Sequence, residues 1–167
     1  MSPPSKILPG IENKLEFDRS TLWKSFCATQ QLFPDRPCIG RRVPTKTDSV
    51  VYSDYQWSTY TETVTKVEQI ASAMLFHGLQ KGDRIGIMSS SRPEWQLVAL
   101  ACQRQGIVIT TLYDNVPGVE SQYVITDSGL KVLFLDPLRT SSIASINLPS
   151  EVEKVVLFPQ QSLTRNV

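Results

Sequence analysis

Four short apolar runs, Arg84-Ile-Gly-Ile-Met88, Val108-Ile-Thr-Thr-Leu112, Lys131-Val-Leu-Phe-Leu135 and Lys154-Val-Val-Leu-Phe158, decide how this chain folds. Each has strand length, is rich in aliphatic, β-branched or aromatic residues, and is separated from the next by a helix-like segment. That rhythm marks βαβ units, in which parallel strands are joined by right-handed crossovers. The expected fold class is α/β, three layers around a mainly parallel sheet of about four βα units. Only Pro159–Val167 follow the last run. The fourth strand therefore has no following helix, and the reading predicts a sheet with one bare edge and some uncovered apolar surface.

The connecting segments carry their own signals. Ser91 and Glu94 stand in capping-box positions, Pro93 sits in the first turn, Trp95, Val98, Ala99 and Cys102 share one face, and Gly106 closes the run. Upstream, Thr59 and Glu62 form a second capping box, Val64, Val67, Ala71, Met74 and Leu75 recur at helical spacing, and Gly78 supplies a left-handed stop. A first helix is expected over Thr21–Leu32, stopped by Phe33-Pro34. Between these helices, Cys38–Val43 and Val50–Trp57 read as an antiparallel strand pair. Residues 1–13 hold Pro3, Pro4, Pro9 and Gly10 without periodicity, and residues 1–19 are taken as a flexible lead.

Composition narrows the chemistry. The 167 residues carry 17 Lys and Arg against 16 Asp and Glu, and a net charge of +1 supplies no general field for a phosphate backbone, so nucleic acid is not an expected partner. Cys27, Cys38 and Cys102 are odd in number and never in a CxxC pair, which points away from disulfides and thiolate metal sites and toward an intracellular chain. No apolar run approaches the about 18–20 residues of a membrane span, so no transmembrane segment is expected. The single histidine, His77, falls at a helix end and reads as a surface residue. GxGxxG, a P-loop and GxSxG do not occur. Ser89-Ser90-Ser91 is a possible anion seat at a helix start, though capping is the simpler role. Arg41, Arg42 and Lys46 read as a solvated hairpin edge, with Tyr52, Tyr55, Trp57 and Tyr60 packing a small core.

Four motifs in order, Tyr55-Gln-Trp57-Ser-Thr59-Tyr60-Thr-Glu62, Gly78-Leu-Gln-Lys-Gly82-Asp83-Arg84-Ile-Gly86-Ile, Ser91-Arg92-Pro93-Glu94-Trp95 and Leu112-Tyr113-Asp114, resemble the N-terminal part of long-chain fatty-acid–CoA ligases of the adenylate-forming superfamily. The resemblance covers residues 20–158 and implies an incomplete N-terminal subdomain of the large domain, with 159–167 a tail where the family domain is cut off. It implies that the complete enzyme joins a fatty acid to coenzyme A through an acyl-adenylate, using ATP and Mg²⁺. The family's phosphate loop, ribose-binding aspartate and adenylation lysine lie further along, so the chain alone is expected to be inactive, with no catalytic residue, no metal site and no cofactor of its own.

Trp57, Thr59, Tyr60 and Arg92–Trp95 fall on motif positions that read as packing and capping. Tyr113, Asp114 and Asn115 are similar in position to a loop bordering the coenzyme A groove, and Arg139 is a further candidate facing a coenzyme A phosphate. Here the family pattern Val-Pro-Leu-Tyr-Asp-Thr-Leu-Gly is replaced by Thr110-Thr-Leu-Tyr-Asp-Asn-Val-Pro-Gly118, which moves the proline and alters the loop's φ restrictions. The resemblance implies a cytoplasmic, endoplasmic-reticulum or peroxisomal setting. An alternative reading is a non-catalytic interaction module that meets a protein partner over the bare sheet edge, and a third is a sister enzyme acting on another acid.

Overall fold

The computed structural model describes residues 20–43, 52–113 and 118–160. Helix α1 (Leu22–Leu32) opens on Thr21, whose hydroxyl accepts from the Lys24 amide. Strands β1 (Pro37–Arg41) and β2 (Gln56–Thr59) form the antiparallel pair, shorter than expected, and Val50 lies outside the described residues. Thr59 then caps α2 (Tyr60–Phe76): its hydroxyl accepts from Glu62 N and the Glu62 carboxylate accepts from Thr59 N at 2.9 Å. Ribbon and helix therefore meet without a linker.

From there the chain alternates: β3 (Arg84–Met88), α3 (Pro93–Gln105), β4 (Val108–Leu112), α4 (Gly118–Ser128), β5 (Val132–Leu135), a 3-10 turn (Pro137–Arg139), α5 (Thr140–Ala144) and β6 (Lys154–Leu157). The four strands pair in parallel in the order β4-β3-β5-β6. Alternate side chains divide between two cores, as the strand period of two requires. Ile85, Ile87, Val132 and Phe134 pack under α2 and α3 together with Trp23 of α1. Met88, Leu112, Leu133 and Leu135 pack on the opposite face against Ile125 of α4 and Ile143 of α5. Ile85 and Ile87 are wholly buried, each contributing about 1.5–3 kcal/mol relative to exposure.

Gly86 lies between these layers, where an added Cβ would come within 2.7 Å of Leu130, 2.9 Å of Leu112 and 3.0 Å of Leu133. The glycine lets the second layer seat directly on the central strand. Gly78, just past α2, has φ +92°, as a left-handed stop requires.

Three expectations change. Ser91 does not cap α3. Arg92 holds that position with extended backbone and no side-chain cap bond. Leu75, read as an apolar-face residue, is solvent-facing, while Thr63 is buried on α2 and its hydroxyl returns to Thr59 O at 2.7 Å. Tyr52, Tyr55 and Trp57 do not fill a core but stand exposed on the ribbon; only Tyr60 turns inward, against Phe26. On β6, Val155, Val156 and Leu157 remain exposed, as the bare edge predicts.

Candidate functional site

In an open parallel sheet, ligands collect beyond the carboxyl ends of the strands where neighbouring connections leave for opposite faces. Renumbered among themselves, the parallel strands run 2-1-3-4. After β3 the chain turns to the α3 face, and after β5 it turns to the α5 face. The divergence between β3 and β5 is therefore the place to look.

That crevice holds a buried polar knot. Asp136, the residue after β5, continues the ladder by donating its amide to Met88 O at 2.9 Å. Its carboxylate accepts from Leu138 N at 3.1 Å and from Ser90 Oγ at 3.2 Å, with Ser89 Oγ at 3.4 Å. Arg92 reaches it from the start of α3, one terminal nitrogen 3.5 Å from the same carboxylate. Arg92 Nε donates to Glu94 at 2.8 Å, its other terminal nitrogen donates to Pro159 O at 2.6 Å, and its guanidinium lies over the Phe158 ring. Its side chain is 3% exposed. One cation thus joins the start of α3, the end of β5 and the backbone beyond β6.

The arrangement decides what the crevice can hold. The serine turn does receive an anion, but the anion is the chain's own Asp136, and the contacts come from two hydroxyls. Arg92 is committed to two carboxylates and a carbonyl, and Asp136 would repel a polyphosphate. These residues do not fit a nucleotide triphosphate. Among the described residues no group of three His, Cys, Asp or Glu is placed to hold a metal ion. Beside the knot, Ser89, Ser91, Arg92, Trp95, Gln96 and Thr111 line an open cleft of about 380 Å³.

Two of the residues singled out from sequence, Tyr113 and Arg139, also sit at this end of the sheet. Tyr113 follows β4 and is 71% exposed, and Arg139 ends the 3-10 turn after β5 and is half-buried. The strands carrying them are separated by β3, which sets them about 10 Å apart at the sheet. Asp114 and Asn115 lie outside the described residues. His77 is exposed at the end of α2, and Lys46 is outside the described residues. Asp136 was not singled out from sequence. Its signal was an acidic residue directly after an apolar strand, level with a serine-rich turn after another.

The cysteines fit a structural role. All three are free. Burial pushes the Cys102 thiol up to about 12 and raises Cys27 and Cys38 above the ordinary thiol range. None is poised as a nucleophile.

A family model described as AMP-binding enzyme matches residues 31–165. Long chain acyl-CoA synthetase 2 of Arabidopsis thaliana is 30% identical over 153 residues, 90% of this chain and 23% of that protein. The peroxisomal long chain acyl-CoA synthetase 7 of the same plant is 29% identical over 142 residues, 85% of this chain and 20% of that protein. The chain thus spans about a fifth to a quarter of the length of these relatives. The solved structure of a Mycobacterium tuberculosis fatty acyl CoA synthetase superposes with a TM-score of 0.68 over 86% of this chain and 27% of its own, at 16% identity, a likeness of fold. No helix among the described residues is long and apolar enough to cross a membrane.

Proposed function

Because this chain belongs to the AMP-binding enzyme family, we propose that its residues build the opening α/β subdomain of an ATP-dependent ligase that joins a long-chain fatty acid to coenzyme A, releasing AMP and diphosphate. The observation that carries the reading is the 30% identity to a long chain acyl-CoA synthetase sustained over nine-tenths of the chain. The subdomain's part is mechanical. The Arg92–Asp136 knot fixes the angle between α3, β5 and the segment past β6, so that loops after β4 and β5 keep a set spacing. Tyr113, Asp114, Asn115 and Arg139 are proposed to border the coenzyme A groove from those loops.

Adenylation needs positive charge and hydrogen-bond donors aimed at the reacting phosphates. Arg92, the cation at the crevice, is already committed to two carboxylates and a carbonyl, so residues 1–167 on their own are proposed to hold no triphosphate and to make no acyl-adenylate. The test is fatty-acid-dependent ATP–diphosphate exchange with purified 1–167, beside calorimetric titration with ATP. No exchange and no saturable uptake are expected. Robust exchange, or tight ATP binding, overturns the assignment of a scaffolding role.

A further inference from the structure

Of the four parallel strands, β6 alone has no buried side chain. Lys154, Val155, Val156 and Leu157 are all exposed, whereas all four residues of the neighbouring β5 are buried. The strand is therefore held by its backbone and its two ends. At the start, the Glu153 and Lys154 amides donate to Lys131 O at 2.8 and 3.3 Å, and the Lys154 ammonium reaches His77 O at 3.3 Å. At the far end, the Phe158 amide donates to Leu135 O at 2.9 Å, and the Phe158 ring, 5% exposed, stacks on Phe134 with centroids 6.0 Å apart. Arg92 lies over that ring, 5.1 Å from its centre, and donates to Pro159 O at 2.6 Å. These anchors are unequal. Lys154 is solvated and shared with Glu153, a contact of small worth, while Phe158 and Arg92 are buried.

The free energy of opening a segment grows with the apolar contact it gives up, and β6 stands to give up chiefly the Phe158 ring. We propose that residues 153–159 form a strap that lifts from β5 and closes again as one unit while the rest of the sheet stays folded, with Arg92 as its clasp. Just upstream, Ile146, Leu148 and Val152 pack against the second core, so the lifting unit begins after Val152. The clasp is set before the strap closes. Glu94 holds Arg92 through Nε and Asp136 faces its Nη1, which leaves Nη2 for Pro159. Opening uncovers the edge of β5 and returns that one nitrogen to the crevice. Strap and crevice thus share a single cation, and whatever draws Nη2 away from Pro159 favours the open form. The device needs no bound ligand and stands apart from the ligase reading.

The test is native-state hydrogen exchange of the full 1–167 chain, read by mass spectrometry across a series of urea concentrations below the unfolding transition. The β6 amides, that of Phe158 among them, are expected to be protected, yet to exchange about a hundredfold faster than those of β3 and with little dependence on urea. Amides of β3 should follow global unfolding. Phe158→Leu keeps an apolar side chain in the core but takes the ring from under Arg92. Arg92→Lys keeps a positive charge for Asp136 and Glu94 but cannot serve three acceptors with one planar fork. Each should speed β6 exchange about tenfold relative to that of β3. Leu157→Thr, on the same strand with its side chain in solvent, should leave that ratio unchanged. Circular dichroism confirms that each variant folds. Exchange of β6 that climbs with urea in step with β3, β6 amides unprotected in the parent, a ratio untouched by Phe158→Leu and Arg92→Lys, or one raised as much by Leu157→Thr would each overturn the proposal.

Discussion

Arg92 and Asp136 lie 44 residues apart in sequence and 3.5 Å apart in space, sealed between the ends of two neighbouring strands. Their side chains are 3% and 8% exposed, so each depends on the other for neutralisation. Glu94 adds a second carboxylate on the same guanidinium.

Removing the cation should therefore do more damage than removing either anion. Arg92→Met leaves two carboxylates facing each other and the Pro159 carbonyl without its donor. The expected loss is about 3–5 kcal/mol of unfolding free energy. Asp136→Asn keeps an acceptor for Leu138 N and relieves the charge, so about 1–3 kcal/mol is expected. Urea unfolding of both single variants and the pair gives the coupling. Strictly additive losses would show that the two side chains do not act as a unit.

This pair also marks the limit of what local sequence reveals. The four strands and the Thr59–Glu62 cap were legible because their signals are short-range: apolar composition over five residues, and a reciprocal bond between positions three apart. Ser91 followed the same local rule and misled, because the start of α3 is settled by contacts 44 and 67 residues away, at Asp136 and Pro159. The ribbon failed differently. Both of its faces carry apolar residues, Ile39 on one and Tyr55 with Trp57 on the other, and only the pairing of Trp57 with Gly40 decides which turns outward. Tyr113 and Arg139, singled out through the family resemblance, follow β4 and β5 at the carboxyl end of the sheet, a position the βα alternation itself dictates. Asp136 needed the strand order, which no local pattern encodes.

Gly86 offers a test of the second layer. A methyl group there meets three leucine side chains, of which Leu130 and Leu133 are wholly buried and Leu112 nearly so. All three must shift within the buried layer, so Gly86→Ala should lose about 1–3 kcal/mol by overpacking. Gly86→Val should lose more, although valine suits a strand better. A urea midpoint for Gly86→Ala equal to that of the parent would mean the layer is loosely packed.

The thiols should report opening of the first core. Cys102 is wholly buried, and with its pKa near 12 only about one thiol in ten thousand is ionised at pH 8. Labelling of the folded chain with a thiol-disulfide reagent should reach Cys27 and Cys38 first, both half-buried, and Cys102 last. The Cys102 rate should rise with urea in step with global unfolding. Mass spectrometry of partly labelled protein identifies the order. Early modification of Cys102 would contradict the packing of α3 on the sheet.

At the opposite end of the sheet, Asp83 and Lys131 give stability a pH dependence of known sign. The Lys131 ammonium lies 2.8 Å from one oxygen of Asp83, and the other oxygen accepts from the Gln80 amide at 2.8 Å. The bond from Lys131, then that from Gln80, hold the Asp83 carboxyl below its ordinary value of 3.8, and Asp83 in turn raises Lys131 above 10.5. A depressed carboxyl stabilises the fold above its unfolded value and loses that contribution as pH falls through the folded one. A raised ammonium contributes below its unfolded value and loses the contribution as pH climbs through the folded one. The pair therefore works from about pH 4 to about pH 10. Asp83→Asn keeps an acceptor for Gln80 N but has no charge for Lys131. Its deficit against the parent in urea unfolding should be constant between pH 5 and pH 9, and should close toward pH 2 and above pH 11. The contact is partly solvated, so added salt should shrink the plateau as well. A deficit that persists unchanged at pH 2 would assign the effect of Asp83 to shape instead of charge.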